Sequence, residues 1–536
     1  MVLISHRRFY MIKLDKVIYR YFDGTDAVND LSLDISRGER LSIIGNNGSG
    51  KTTLALLISG IIRPTSGEIR IDGLNPIRNE ENLKIKRKVG LVFQNPDNQL
   101  VSTTVEREIA FSLENLNIAN PEIRKRVDSS LRFFGLENFR TRLTSELSGG
   151  EKQLLALASV MVAEPEILIL DEPGSYLDET GKCLLAEGVK MLMSHNKELT
   201  LIRITQYSYV TEDYRRVIVM KDGRIIMDGA PESIYANFDE CHRAGIAVPL
   251  KYRIEKRIDK ASRSMPDSSN DKKSKERIKN IELRNLSFGY DTGDKRIPLF
   301  ENLNIKLSND CIYGIVGRSG SGKTTLIQLI TGLLKPERGK VQYKNFDPKP
   351  GDLVISFQHP ERQFFLDTVD KELRFGPENL KLPEIDKIVE DCYHLSSLPK
   401  EKFSGRDPFT LSGGEKRRLA FGTILSLRPH FIFFDEPTCG LDFDGICLFK
   451  ELVRKLHLKG IGITIISHYG DIVFELADEI IPLAKGKECT IWEKHAFFKK
   501  YDYSAFLSTP EIVAYQKKLW GEIRYFTESD LFLNRN

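Results

Sequence analysis

One glycine-rich stretch occurs twice in this chain. Gly45-Asn46-Asn47-Gly48-Ser49-Gly50-Lys51-Thr52-Thr53 returns as Gly317-Arg318-Ser319-Gly320-Ser321-Gly322-Lys323-Thr324-Thr325, with 272 residues separating Lys51 from Lys323. Leu147-Ser148-Gly149-Gly150-Glu151 returns as Leu411-Ser412-Gly413-Gly414-Glu415, and Asp171-Glu172-Pro173 as Asp435-Glu436-Pro437, both at a separation of 264. Three motifs in one order at nearly constant spacing make the chain a tandem duplication with a unit of about 265 residues, far longer than a solenoid repeat. Whatever one half folds into, the other must fold into as well.

Composition locates the seam between the halves. Overall, 79 Lys and Arg face 75 Asp and Glu, a net charge of only +4, so no global field points to nucleic acid or anionic lipid. Between Lys251 and Lys279, however, eleven basic residues face five acidic ones. Ser262–Ser274 lacks apolar periodicity, and 251–279 is expected as a charged flexible linker. The first domain is then 1–250 and the second 280–490. Residues 491–536 have no obvious counterpart motif in the first half; they are rich in aromatics and are expected to pack as a helical appendage. Within each half, apolar runs without alternation (Leu41–Ile44, Ile167–Leu170, Leu201–Thr205; Ile312–Val316, Phe431–Phe434, Ile463–Ile466) suit parallel strands covered on both faces.

Each glycine-rich stretch fits a phosphate-binding loop that follows a strand and opens a helix. Backbone N–H groups curl around phosphate and the helix N-terminus faces it. Lys51 and Lys323 are expected to reach the β- and γ-phosphates, and Thr52 and Thr324 to hold Mg2+. Asp171 and Asp435 close apolar strands, where a carboxylate can hold the metal; Glu172 and Glu436 beside them can orient or deprotonate an attacking water. The seven cysteines are scattered singly, with no CxxC pair, which suits reduced thiols in a cytosol rather than a zinc or disulfide framework. No segment resembles a signal peptide and no run approaches the roughly 18 apolar residues of a membrane span, so the chain is expected not to cross a membrane by itself.

Leu-Ser-Gly-Gly-Glu is the most specific of the three motifs. With it the sequence resembles the ATPase subunits of ATP-binding cassette transporters, once in each half and over nearly the whole chain. That resemblance implies an α/β fold of two tandem P-loop NTPase cassettes, each with a mostly parallel sheet, an antiparallel β subdomain and a helical signature subdomain. It implies ATP and Mg2+ as ligands, and a second phosphate cradle at Ser148-Gly149-Gly150 and at Ser412-Gly413-Gly414, each serving nucleotide held by the other cassette. By the same resemblance Gln94 and Gln358 contact the metal, Tyr21 and Tyr290 stack on adenine, Asp178 and Asp442 are the D-loop aspartates, and His468 is the switch histidine. The first half departs from the pattern: Ile204-Thr205-Gln206 stands opposite Ile466-Ser467-His468, so a glutamine takes the histidine's place. An amide donates a hydrogen bond but carries no positive charge.

The segment after each Q-loop glutamine narrows the family. Gln94-Asn-Pro-Asp-Asn-Gln99 continues to Thr104-Val105-Glu106-Arg107-Glu108 and Phe111; Gln358-His-Pro-Glu-Arg-Gln363 continues to Thr368-Val369-Asp370-Lys371-Glu372 and Phe375. This pattern resembles the ATPases of energy-coupling factor importers, which take up vitamins or transition-metal ions. The resemblance implies one fused chain per complex supplying both ATPase domains at the cytoplasmic face of the cell membrane, docked on an integral-membrane coupling protein that holds a membrane substrate-binding protein. Asp97, Glu106, Glu108, Glu361, Asp370 and Glu372 are expected either to meet basic residues of that partner or to form a solvated loop face. The alternative, a soluble tandem cassette ATPase acting on ribosomes, draws support from the basic seam. That seam is short and broken by Ser and Pro, unlike a long helical arm.

Overall fold

The computed structural model describes residues 10–22, 24–175, 177, 179–255, 278–291, 296–318, 320–357, 363–484, 489–504 and 507–524. Two compact units separate between Tyr252 and Arg253.

The first unit runs β1 (Tyr10–Arg20), β2 (Asp26–Ser36), β3 (Arg40–Ile44), α1 (Lys51–Ile58), β4 (Ser66–Ile71), α2 (Asn79–Lys88), β5 (Val89–Val92), α3 (Val105–Asn115), α4 (Asn120–Phe133), α5 (Gly149–Met161), β6 (Ile167–Asp171), α6 (Glu179–His195), β7 (Thr200–Thr205), β8 (Arg216–Lys221), β9 (Arg224–Gly229), α7 (Pro231–Ala236), α8 (Phe238–Arg243) and α9 (Leu250–Glu255). Its main sheet has the order β5-β6-β7-β3-β8-β9, and its second sheet β2-β1-β4. All neighbours in the main sheet are parallel except β8 and β9, which form a hairpin. The second sheet is antiparallel throughout. Strands β3 and β6 are buried along nearly their whole length, Ser42 included, because both of their faces are covered. One core fills the space between the two sheets around α1. A second lies beneath α3, α4 and α5, on the other face. That division places the Leu-Ser-Gly-Gly-Glu motif at the start of α5, in the helical layer.

The second unit repeats this plan with β10 (Asn280–Asp291), β11 (Arg296–Ser308), β12 (Ile312–Val316), α10 (Lys323–Ile330), β13 (Arg338–Lys344), β14 (Leu353–Ser356), α11 (Val369–Asn379), α12 (Ile385–Leu395), α13 (Lys400–Phe403), α14 (Gly413–Leu425), β15 (Phe431–Asp435), α15 (Phe443–Leu458), β16 (Gly462–Ile466), α16 (Gly470–Leu476), β17 (Glu479–Pro482), β18 (Trp492–Glu493), α17 (Lys494–Lys500) and α18 (Glu511–Trp520). The sheet orders β14-β15-β16-β12-β17-β18 and β11-β10-β13 match those of the first unit position by position. The two-cassette α/β architecture expected from the motifs is therefore the one observed.

Two regions outside the repeat carry more structure than composition suggests. The stretch read as a linker begins with helix α9, where Tyr252 and Ile254 are buried; residues 256–277 lie outside the described residues. The aromatic-rich stretch supplies β18, the sixth strand of the main sheet, through Trp492 opposite Ile480. It then packs Phe497, Phe498 and Tyr503 as a buried cluster.

Candidate nucleotide sites

Each glycine-rich loop leads from a buried strand into a short helix, β3 into α1 and β12 into α10. Gly50 and Gly322 cap those helices in the left-handed region, with φ of 95° and 97°. Only glycine fits there. A Cβ on Gly50 would lie 2.2 Å from the Ala27 carbonyl oxygen, and one on Gly45 2.3 Å from that of Met220. The loop is thus a backbone cradle held tightly against neighbouring strands.

The lysines sit at the root of each loop. Lys51 Nζ donates to the carbonyls of Gly45 (2.7 Å) and Asn46 (2.8 Å). Lys323 Nζ does the same to Gly317 (2.8 Å) and Arg318 (3.1 Å). Burial lowers the Lys51 pKa, opposed by the nearby Glu172 and Asp171 carboxylates. Glu172 Oε1 lies 3.9 Å from Lys51 Nζ, and an arriving phosphate would add further negative charge beside this buried ammonium.

The strand-end carboxylates stand beside the loop threonines. Thr324 Oγ1 donates to Asp435 Oδ2 at 2.6 Å. In the first unit, burial pushes Asp171 up to about 6 against a hydrogen bond from Thr52. Asp171 Oδ1 is buried and finds no hydrogen-bond partner. A buried carboxylate oxygen with nothing to accept, next to a hydroxyl, is the donor set a hard divalent cation takes. The residues present therefore fit Mg2+.

Glu172 and Glu436 follow those aspartates with φ of 45° and 47°, a conformation that costs a non-glycine residue energy and is retained where function demands it. They are held differently. Glu172 Oε2 accepts from Gln94 Nε2 (3.2 Å) and Ser175 Oγ (3.0 Å). In the second unit, His468 Nε2 lies 3.3 Å from Glu436 Oε1, and His468 N–H donates to Glu436 Oε2 at 3.3 Å. Gln206, in the histidine's place, has both amide atoms buried without a hydrogen-bond partner. Ser175 was missed by motif reading; its only signal was the unusual sequence between Pro173 and Asp178.

Tyr21 and Tyr290 are placed alike. Each hydroxyl pairs with the second threonine of its loop, Thr53 or Thr325, at 3.0 Å, and each ring stays about two-fifths exposed. Ser148 and Ser412 open α5 and α14 as capping boxes with Glu151 and Glu415. A Cβ on Gly413 or Gly414 would meet no atom within 4 Å, so packing of the unit does not demand glycine there. Ser319, Gln358, Asp178 and Glu361 lie outside the described residues.

The five described acidic residues of the Q-loop segments, Asp97, Glu106, Glu108, Asp370 and Glu372, are engaged within their own units. Glu108 is buried and accepts from the N–H groups of Val101 (3.0 Å) and Ser102 (2.6 Å). Glu372 is buried likewise and accepts from Phe365 and Leu366, both at 2.6 Å. Glu106 pairs with Arg140, Asp370 with Arg374, and Asp97 with Lys152. Neither expectation for these acids describes Glu108 and Glu372: the loop amides need acceptors, and these carboxylates supply them.

A sequence profile described as "ABC transporter" matches residues 28–175 and 300–439. The chain is 31% identical to the "Putative ABC transporter ATP-binding protein TTE1589" of Caldanaerobacter subterraneus subsp. tengcongensis, over 94% of this chain and 95% of that one. A protein of Methanosarcina mazei with the same description is 30% identical over 89% of this chain and 88% of its own. A solved structure described as cbiO1 from Clostridium perfringens, part of the ABC transporter complex cbiONQ, is 37% identical, covers 46% of this chain and 99% of its own, and has a TM-score of 0.39.

Proposed function

The chain belongs to the ABC transporter family, and from that premise we propose that it is the fused ATPase pair of an importer of the energy-coupling factor type. It is an ABC ATP-binding subunit with two tandem cassettes that bind ATP with Mg2+ and hydrolyse it. Among the described residues no helix is long and apolar enough to cross a membrane. In the proposed complex an integral-membrane coupling protein and a membrane substrate-binding protein supply the path for a vitamin or transition-metal ion, and this chain works at the cytoplasmic face.

The observation that carries the importer reading is the shared build of the Q-loop segments. In each cassette the TVxxE glutamate ties down two loop amides, at Val101 and Ser102 or at Phe365 and Leu366. The residue so held projects outward: Val101 is 66% exposed and Phe365 is 60% exposed. Beside Phe365 a groove of about 260 Å³ is lined by Gln363, Phe375, Gly376, Ile424 and Leu427. A rigid apolar projection next to a groove suits the end of a membrane partner's helix.

At the nucleotide, the amides of 45–53 and 317–325 and the ammonium groups of Lys51 and Lys323 bind phosphate, while the Tyr21 and Tyr290 rings stack on adenine. Mg2+, when bound, neutralises phosphate charge; Thr52, Asp171 and Gln94 would hold it in the first cassette, and Thr324, Asp435 and Gln358 in the second. Glu172 and Glu436 take the proton of the attacking water. His468 orients Glu436 and donates to the γ-phosphate; Gln206 offers the first cassette an uncharged donor. Ser148–Gly150 and Ser412–Gly414 present hydroxyl and amide donors as the second phosphate cradle.

Affinity capture of the full chain from detergent-solubilised native membranes is the test. It should bring down an integral-membrane protein and a small membrane protein that retains a vitamin or metal ion. Capture of ribosomes instead, with no membrane protein, would reject the importer reading.

A further inference from the structure

The C-terminal segment of the second unit is tied to the backbone on either side of His468. Ser508 N–H donates to the His468 carbonyl at 3.0 Å. Ser508 Oγ accepts from Gly470 N–H at 2.7 Å. Glu511 N–H, in the first turn of α18, donates to Asp471 Oδ1 at 2.8 Å. The approach is close: a Cβ on Gly470 would meet the Ser508 carbonyl oxygen at 1.9 Å. Leu507, Val513 and Gln516 are fully buried behind these bonds. Phe498 meets Phe474 of α16 edge-to-face at 5.1 Å.

His468 is thereby fixed from two sides. Its backbone is held by the C-terminal segment, and its side chain and N–H face Glu436. The first unit supports the matching loop by other means. Tyr235 of α7 donates to the Ser208 carbonyl (3.3 Å) and pairs with Thr211 beyond it.

We propose that Leu507–Trp520 is the positioning element of His468 and Ser508 its positioning residue, so that turnover in the second cassette depends on a segment outside the three repeated motifs. The proposal rests on the reading of His468 given above. Removing the Ser508 hydroxyl strands the Gly470 N–H, and phosphoryl transfer depends on groups held to a fraction of an ångström.

The experiment uses the full chain carrying Glu172→Gln, so that turnover reports the second cassette. Ser508→Ala should lower kcat about tenfold with the KM for ATP within about twofold, and Ser508→Thr should restore it. Glu511→Pro, which removes one N–H donor at a helix position that tolerates proline along with the carboxylate paired with Arg253, should act in the same direction, with Glu511→Gln as the control that keeps the N–H. Without nucleotide, the His468 ring resonances of 15N-histidine-labelled protein, assigned with His468→Gln, should move in Ser508→Ala and return in Ser508→Thr. If His468→Ala is inactive while Ser508→Ala and Glu511→Pro keep both kcat and the histidine signal of their parent, the positioning role is overturned and the reading of His468 stands. If His468→Ala turns over ATP like its parent, the reading of His468 falls, and the histidine shifts alone still report the clamp.

Discussion

Glu172 and Glu436 share a strained backbone but not their neighbours, and the difference should be measurable. Glu436 is backed by an imidazole, whereas Glu172 accepts from the neutral Gln94 and Ser175 and lies 3.9 Å from the Lys51 ammonium of its own loop. In the assembled membrane complex, Glu436→Gln is expected to remove about nine-tenths of steady-state ATPase activity and Glu172→Gln less than about half, because phosphoryl transfer depends on well-placed charge. Equal losses would show that Gln206 serves as well as His468. Two glycines separate folding from function. Gly50→Ala places a Cβ against the Ala27 carbonyl at positive φ, so it should lower the melting temperature as well as nucleotide affinity. Gly413→Ala meets open space, so the melting temperature should hold while turnover falls. Asp471 makes a third case. Burial, with Glu511 and Glu475 nearby and Lys450 opposing them, pushes its pKa up to about 7. A carboxyl raised on folding adds stability at low pH, and that contribution is lost as pH climbs from about 4 through 7. Asp471→Asn keeps the acceptor for Glu511 N–H without the charge. Its unfolding free energy should match the parent near pH 3 and exceed it near pH 8, by on the order of 4 kcal/mol.

The helices and strands that carry the motifs were legible in advance because their patterns are local. The apolar runs at 41–44, 167–170 and 312–316 became fully buried strands, and each GK[ST] became the first turn of a helix. The Q-loop acids were not legible in this way. Glu108 and Glu372 look like surface charges in sequence, and only the fold reveals the loop amides that need them. Glu372→Ala should cost about 2 kcal/mol in chemical denaturation, since it leaves two N–H groups without an acceptor. Glu106→Ala, which breaks an exposed pair with Arg140, should cost far less. The bond from Ser508 to His468 was equally hidden, because a serine forty residues beyond a motif carries no periodic signal.

For the whole molecule, duplication means two binding sites in one polypeptide. Equilibrium titration with ATP and Mg2+ should give about two nucleotides per chain, and Lys51→Ala or Lys323→Ala should each lower that number to about one. Each unit finishes its main sheet with an antiparallel strand that follows its partner in sequence. In the first, β9 folds back from β8 through Asp222-Gly223, a dipeptide suited to a tight hairpin. In the second, the matching position is filled by β18, two residues of the aromatic-rich stretch paired with β17. A strand at that position shields the backbone of β17, which would otherwise offer unpaired N–H and C=O groups to any passing chain. A version of the protein cut at the end of the repeat, near residue 490, would keep all three motifs and still present a raw sheet margin. Such a cut should yield a protein that self-associates in a concentration-dependent way, measurable by light scattering, even where its nucleotide loops remain intact.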